Sequence, residues 1–201
     1  MGVTSVLLSG FEPFDGAESN SSWDAVQAVA RDWTGAASIT HVVLPVEFGA
    51  AWERLARAIT EHAPEVVIAV GLADGRSAVT PERIAINLRD ARIPDNGGAQ
   101  PRERPVLEDG PAAYFTGLPV SEIVEAIRAS GIASHDSLSA GAYVCNDVMY
   151  RLMHEVASER PGLVAGFIHV PAAAAMPVGT IARALAIAVD TTVQSFENQG
   201  G

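Results

Sequence analysis

Three side chains in this 201-residue sequence are of types that could carry thiol-based acyl transfer: Cys145, His169 and Glu82. Cys145 is the sole cysteine, and it opens an apolar pattern, Val148, Met149, Leu152 and Met153, whose spacing predicts a helix just after the small residues Ser139-Ala140-Gly141. Unpaired N–H groups and the positive end of the helix dipole stabilise a thiolate at such a position, so a lowered thiol pKa is expected, and the same N–H groups could hold an oxyanion. The plainer reading of a lone cysteine is a small buried apolar residue.

A thiol nucleophile needs a base. Among His41, His62, His135, His154 and His169, only His169 combines the C-terminal end of a predicted strand, Leu163 to Val170, with a following proline turn. That edge of an open α/β sheet is where active sites gather. His154 shares a helix with Cys145 but lies about 14 Å along its axis. The plainer reading of His169 is a core histidine satisfied by backbone. Glu82 begins a predicted strand from Arg83 to Leu88, where a carboxylate could accept the imidazole's other N–H; alternatively it is a surface glutamate paired with Arg83.

The elements that must position these groups alternate. Val3 to Ser9, His41 to Val46 and Val66 to Val70 read as strands; the last is a continuous apolar run of the kind covered on both faces. Helices follow from the spacing of Val26, Val29, Ala30 and Trp33, with Asn20, Ser21 or Ser22 as cap, and of Trp52, Leu55, Ile59 and His62 before Pro64. Ser121 can cap a helix carrying Ile123, Val124 and Ile127 that stops at Gly131, and Ile181, Ala184, Leu185, Ala188 and Val189 mark a final one. The stretch from Asp90 to Gly110, rich in Pro, Gly, Asn and Arg, reads as an extended functional loop. The alternation predicts one domain over residues 1–201, an α/β/α three-layer sandwich with a mostly parallel, mixed sheet.

Composition removes whole classes of function. A formal net charge of -11 argues against nucleic acid as a partner. All thirteen basic side chains are Arg, so a P-loop Lys, a Schiff-base Lys and a Ser-Lys dyad cannot exist. The five histidines show no metal-ligand spacing, and no metal or cofactor is expected. One cysteine, no apolar signal core and no run of roughly 18 to 20 apolar residues predict a cytoplasmic protein that does not engage a membrane.

Four separated blocks resemble the pyrrolidone carboxyl peptidases (pyroglutamyl peptidase I) from Val6 to about Pro171: LLSGFEPFDG with NSSW, GLADGRSAVTPERIAINLRDARIPDNGG, SLSAGAYVCNDVMY and AGFIHVPAA. The resemblance implies a phosphorylase/hydrolase-like sandwich and a cysteine exopeptidase that removes N-terminal pyroglutamyl residues from peptides. It places a Cys-His-Glu triad on Cys145, His169 and Glu82. It further implies that Arg92 stabilises the oxyanion with the N–H of Cys145, that Phe11, Phe14, Ile93, Tyr143 and Val144 line the pyroglutamyl pocket, and that Asn20 ties down the nearby loop. Relatives form homotetramers, so a homotetramer or a homodimer is expected; apolar residues in the presumed loop Pro111 to Leu118 are the only support in the residues.

Aromatic walls suit a neutral five-membered lactam, with specificity from a few hydrogen bonds. Asp74, Asp147, Tyr143 and Val46 depart from the family's usual residues, and an inward Asp147 would raise the pKa of Cys145. The alternatives are a non-catalytic binder of pyroglutamyl or related lactams and, more remotely, a nucleoside phosphorylase whose phosphate site would be the Gly75-Arg76 turn.

Overall fold

The computed structural model describes residues 3–199. Four parallel strands, β1 (Ser5–Phe11), β2 (Ser38–Leu44), β3 (Val66–Leu72) and β7 (Val164–Val170), lie in the order β2-β1-β3-β7, and the two-residue β4 (Thr80–Pro81) pairs antiparallel with the outer side of β7. A second sheet of two short strands, β5 (Ile84–Ile86) and β6 (Ala113–Phe115), stands beside it. Helices α1 (Ser21–Asp32), α3 (Val120–Ala129) and α5 (Val178–Gln199) cover one face of the main sheet, and α2 (Ala50–His62) and α4 (Val144–Ser158) the other. This is the three-layer α/β/α sandwich with a mixed, mostly parallel sheet.

Period-two alternation along the strands builds both cores at once. Val66, Ile68 and Val70 of β3 and Ile168 and Val170 of β7 pack with α1, α3 and α5. Their neighbours Val67, Ala69, Ala165 and Phe167 pack with α2 and α4. Each fully buried Leu, Ile or Phe contributes about 1.5–3 kcal/mol by leaving water. The same parity carries Gly71 and His169, the next odd positions of β3 and β7, onto the α4 face at the C-terminal edge of the sheet.

The N-terminus of α1 is capped by Asn20, whose side chain accepts from the N–H of Ser22 at 3.0 Å, a bond worth about 1 kcal/mol. Gly10 lets α1 approach β1 closely, since a Cβ there would lie 2.7 Å from the Cα of Trp23. At α3 the N-cap is Pro119 without a side-chain bond, and Ser121 instead accepts from Arg83 Nη2 at 3.0 Å. Gly131, with φ +81°, follows the end of that helix.

Three further sequence expectations change. The strand expected over Arg83 to Leu88 shrinks to β5 and leaves the main sheet, because Glu82 and Arg83 turn to bond Phe167 and Ser137 backbone carbonyls. The stretch from Pro111 to Leu118 is no plain loop: it contains β6 and ends on buried Leu118. β1 and β2 also lie about two residues from where apolar content alone set them. The 90–110 segment carries no helix or named strand and is held by polar bonds: Asp95 accepts from the N–H groups of Phe48 and Ala99, and Asn96 donates to Glu12 Oε1. Among the described residues, no helix is long and apolar enough to cross a membrane.

Candidate active site

Cys145 is the second residue of α4, behind the N-cap Tyr143 and Val144. The first intrahelical bond runs from the N–H of Asp147 to the carbonyl of Tyr143, so the N–H groups before it project from the helix start. Gly71 makes room for the thiol: a Cβ at Gly71 would lie 2.8 Å from Cys145 Sγ and 2.7 Å from Phe167 Cζ. Gly71 is registered against His169 across β3 and β7, and neighbouring strands lie about 4.8 Å apart. The thiol therefore rests over the strand next to the imidazole.

His169 is almost fully buried, with its ring 4.9 Å from that of Phe167. Its Nδ1 lies 2.7 Å from Glu82 Oε1. Glu82 is completely buried, yet its hydrogen bonds hold it below the ordinary carboxylate range despite the opposing cost of burial, the largest single influence on it. A carboxylate in contact with Nδ1 fixes the tautomer: Nδ1–H donates to Glu82, leaving Nε2 to accept a proton from the cavity side. Burial is also the main influence on His169 and lowers its pKa, outweighing Glu82, so the imidazole is neutral at pH 7 and ready to act as a base.

The expected low thiol pKa does not hold. Burial, followed by the charge of Glu82, pushes Cys145 up to about 12, against the smaller downward influence of Arg76 and of its own backbone N–H. Part of the residue reaches the cavity surface, but the packing around the sulfur governs its solvation. The thiol consequently keeps its proton until a base removes it.

Asp147 does turn inward, and its side chain is completely buried, but it faces away from this chemistry. Its Oδ1 pairs with Arg89 at 2.6 Å and with Arg151 at 3.4 Å, and it is not among the groups that shift Cys145. Arg89 in turn lies 5.6 Å over the Phe48 ring, which meets Tyr143 edge-on at 5.4 Å. Val46 is simply core. Asp74 is exposed on the cavity wall, where its carboxylate accepts from the N–H of Gly75 at 3.0 Å.

A cavity of about 830 Å³ opens over Cys145 and His169, lined also by Phe14, Ile93, Tyr143, Arg92 and the loop around Asp15. Tyr143 is fixed there by donating to the carbonyl of Pro94 at 3.0 Å, and its phenol is pushed up to about 12 mainly by burial. Arg92 is exposed on this wall, and among the described residues no carboxylate pairs with it. Phe11 and Val144 are elsewhere: both are core residues and neither lines the cavity. Phe11 packs its ring 6.4 Å from Phe167, because strand parity aims it at the α4 layer. Asn20 does tie the loop, donating to the carbonyl of Glu12 at 3.0 Å while accepting from Ser22. His154 bonds Tyr114, away from the site.

Sequence reasoning missed Arg76 as part of this arrangement. Its Nη1 donates to Glu82 Oε1 at 2.7 Å and to Thr80, and its Nη2 donates to the carbonyl of Ser139 at 3.0 Å. No spacing rule links positions 76 and 82; the contact depends on the tiny antiparallel β4. Its guanidinium is thus engaged by a carboxylate rather than open to phosphate. Among the described residues, no group of three or more His, Cys, Asp or Glu could hold a metal ion.

A family profile described as "Pyroglutamyl peptidase" matches residues 4–198. The chain is 51% identical over 178 residues to the "Pyrrolidone-carboxylate peptidase" of Clavibacter michiganensis, covering 89% of this chain and 83% of that protein. It is also similar to the crystal structure of pyroglutamyl peptidase I from Bacillus amyloliquefaciens, with a TM-score of 0.91, 42% identity and coverage of 94% of this chain and 96% of that one. A mutant pyrrolidone carboxyl peptidase from Pyrococcus furiosus superposes equally well, with a TM-score of 0.91, 36% identity and coverage of 96% and 99%.

Proposed function

The chain belongs to the pyroglutamyl peptidase family, and from that membership we propose that it is a cysteine exopeptidase hydrolysing the amide bond after an N-terminal pyroglutamyl residue, with Cys145 as nucleophile, His169 as general base and Glu82 as the group that orients the base. The observation that carries the roles is the meeting of a thiol at a helix start with a neutral, carboxylate-anchored imidazole on one cavity wall.

In this reading His169 Nε2 takes the thiol proton as Sγ bonds to the pyroglutamyl carbonyl carbon. The carbonyl oxygen becomes an oxyanion, held by N–H groups at the start of α4 and by the Arg92 guanidinium. Collapse breaks the C–N bond, and the imidazolium returns its proton to the departing amine. Water, deprotonated by His169, then attacks the thioester and releases pyroglutamic acid and the thiol. A neutral thiol and a neutral imidazole are the right resting pair for such a transfer, since the imidazolium exists only while Glu82 stabilises it beside the developing negative charge.

Phe14, Ile93 and Tyr143 give the lactam an aromatic and apolar wall. Phe11 and Val144 lie in the core behind that wall. A cavity of about 830 Å³ is several times larger than one lactam ring, leaving room for the peptide beyond the scissile bond. The proposal treats residues 1–201 as one peptidase domain that assembles as a homotetramer or homodimer; exposed Phe115 and Leu138, at 74% and 71%, support self-association. Light scattering after size exclusion tests it, and a monomer at micromolar concentration refutes it.

The roles are tested by replacing Cys145 with Ala. Release of pyroglutamate from a pyroglutamyl peptide should vanish while the thermal unfolding curve stays close to wild type. Retained turnover would remove Cys145 from the mechanism.

A further inference from the structure

We infer that Arg76 is a positioning residue of the proposed reaction: its guanidinium fixes the Glu82 carboxylate on His169 and offsets enough of that carboxylate's charge to keep the imidazole available as a base. The inference rests on the proposed roles of Cys145, His169 and Glu82 and adds a residue and a function to them.

The geometry is specific. One carboxylate oxygen, Glu82 Oε1, receives both His169 Nδ1 and Arg76 Nη1, each at 2.7 Å. Glu82 is completely buried, whereas the Arg76 side chain retains 27% exposure, so the guanidinium joins a buried anion to the outside. The fork also engages Thr80 of β4 and the carbonyl of Ser139, two residues before the positive-φ turn at Gly141 that leads into α4. One side chain thereby links the turn after β3, the strand that presents Glu82 and the approach to the proposed nucleophile.

Charge gives the contact its consequence. A buried carboxylate beside an imidazole favours imidazolium, which cannot accept the thiol proton. It also opposes a thiolate nearby. Burial is the largest influence on both groups, lowering the pKa of His169 and raising that of Cys145; Glu82 raises both, and Arg76 acts against Glu82 on both. The remaining charged groups on the cavity are Asp15 from the β1–α1 loop, Asp74 from the turn after β3, and Asp90 and Arg92 from the 90–110 segment; Asp90 pairs with Arg102 at 3.0 Å. Tyr143, at the head of α4, lines the same cavity and keeps its proton. None of these shares Glu82 Oε1 with His169.

The test compares wild type, Arg76→Gln and Arg76→Lys by the pH dependence of kcat/KM on a pyroglutamyl amide and, separately, of the iodoacetamide alkylation rate of Cys145. With Gln, both acid limbs should move up by about one pH unit as the offsetting charge is lost. With Lys, the limbs should stay within about half a unit of wild type while kcat falls several-fold, because the charge remains and the fork is lost. Limbs unmoved in a folded Gln variant would make Arg76 merely structural and overturn the inference. Should the Gln variant not fold, Lys decides alone: a limb displaced despite the retained charge overturns it. Alkylation needs no turnover, so wild type that alkylates with a pH limb but hydrolyses nothing would sink the peptidase reading separately.

Discussion

Gly71 and His169 face each other across β3 and β7, and the missing side chain of Gly71 is the space in which the Cys145 sulfur sits, 2.8 Å from where a Cβ would stand. A thiol and an imidazole 24 positions apart, on the consecutive elements α4 and β7, thus come together because a strand between helices lacks one methyl group. The methyl can be put back. Gly71→Ala should push Sγ or the Phe167 ring aside, lowering kcat on the order of 10²-fold, since about 1 Å of misplacement has that cost. Stability should fall by about 1–3 kcal/mol from overpacking. Steady-state kinetics with urea unfolding checks both; unchanged kcat would mean that the thiol's seat over Gly71 is irrelevant.

Glu82 is proposed to set the tautomer of His169, and Glu82→Gln keeps its shape while removing its charge. By analogy with other triads, kcat should drop on the order of 10³- to 10⁴-fold. A change of less than tenfold would leave Glu82 with a structural role only.

The pH profile follows from the two shifted groups. His169 titrates below the ordinary imidazole value of 6.5, so kcat/KM should rise through a pKa below 6.5. Ionisation of a thiol at about 12 leaves the plateau unbroken across the neutral and mildly alkaline range. An acid limb centred above 7 would contradict the neutral resting pair. Stability carries the same sign. A histidine with a depressed folded pKa contributes fully above its unfolded value of 6.5, and that contribution is lost as pH falls toward the folded value. Glu82, also depressed, adds a second loss below 4.5. Urea midpoints measured from pH 7 to pH 4 should decline monotonically, and His169→Gln should flatten the upper part of that decline.

Asp147→Asn strips a buried anion from Arg89 and Arg151, which keep 20% and 21% exposure. Their partial solvation moderates the cost to about 1–3 kcal/mol. The effect should appear in urea unfolding and, through Phe48 and Tyr143, as a raised KM more than a lowered kcat. Equal loss in kcat with KM fixed would place Asp147 in the chemistry instead of behind the pocket wall.

The strands were legible because their apolar runs mark a sheet covered on both faces, and strand parity then explains why His169 and Phe167 face α4. Boundaries were less so: Val3 looks like strand by composition but is 65% exposed. Phe11 and Phe14 look equivalent in GFEPF, yet Phe11 still belongs to β1 and points into the core, while Phe14, three residues on in the loop, is free to reach the cavity. Arg151, four residues on from Asp147 along α4, has a spacing that sequence can show, but the partners of Glu82 and the Arg89 partner of Asp147 could not be read along the chain. Asp147 finds Arg89 from a segment 58 residues away, and Arg76 reaches Glu82 only through a two-residue antiparallel strand. Long-range charge pairing leaves no periodic signature. The thiol's raised pKa was hidden for a related reason: the helix start was visible in the sequence, the burial that outweighs it was not.

The most direct measurement is release of a fluorophore from a pyroglutamyl amide beside its prolyl analogue, each with and without prior treatment by iodoacetamide under otherwise reducing conditions. The proposed mechanism predicts release from the pyroglutamyl amide alone, abolished by alkylation of Cys145. No release from folded protein, or release that alkylation leaves intact, would contradict a cysteine-based pyroglutamyl peptidase.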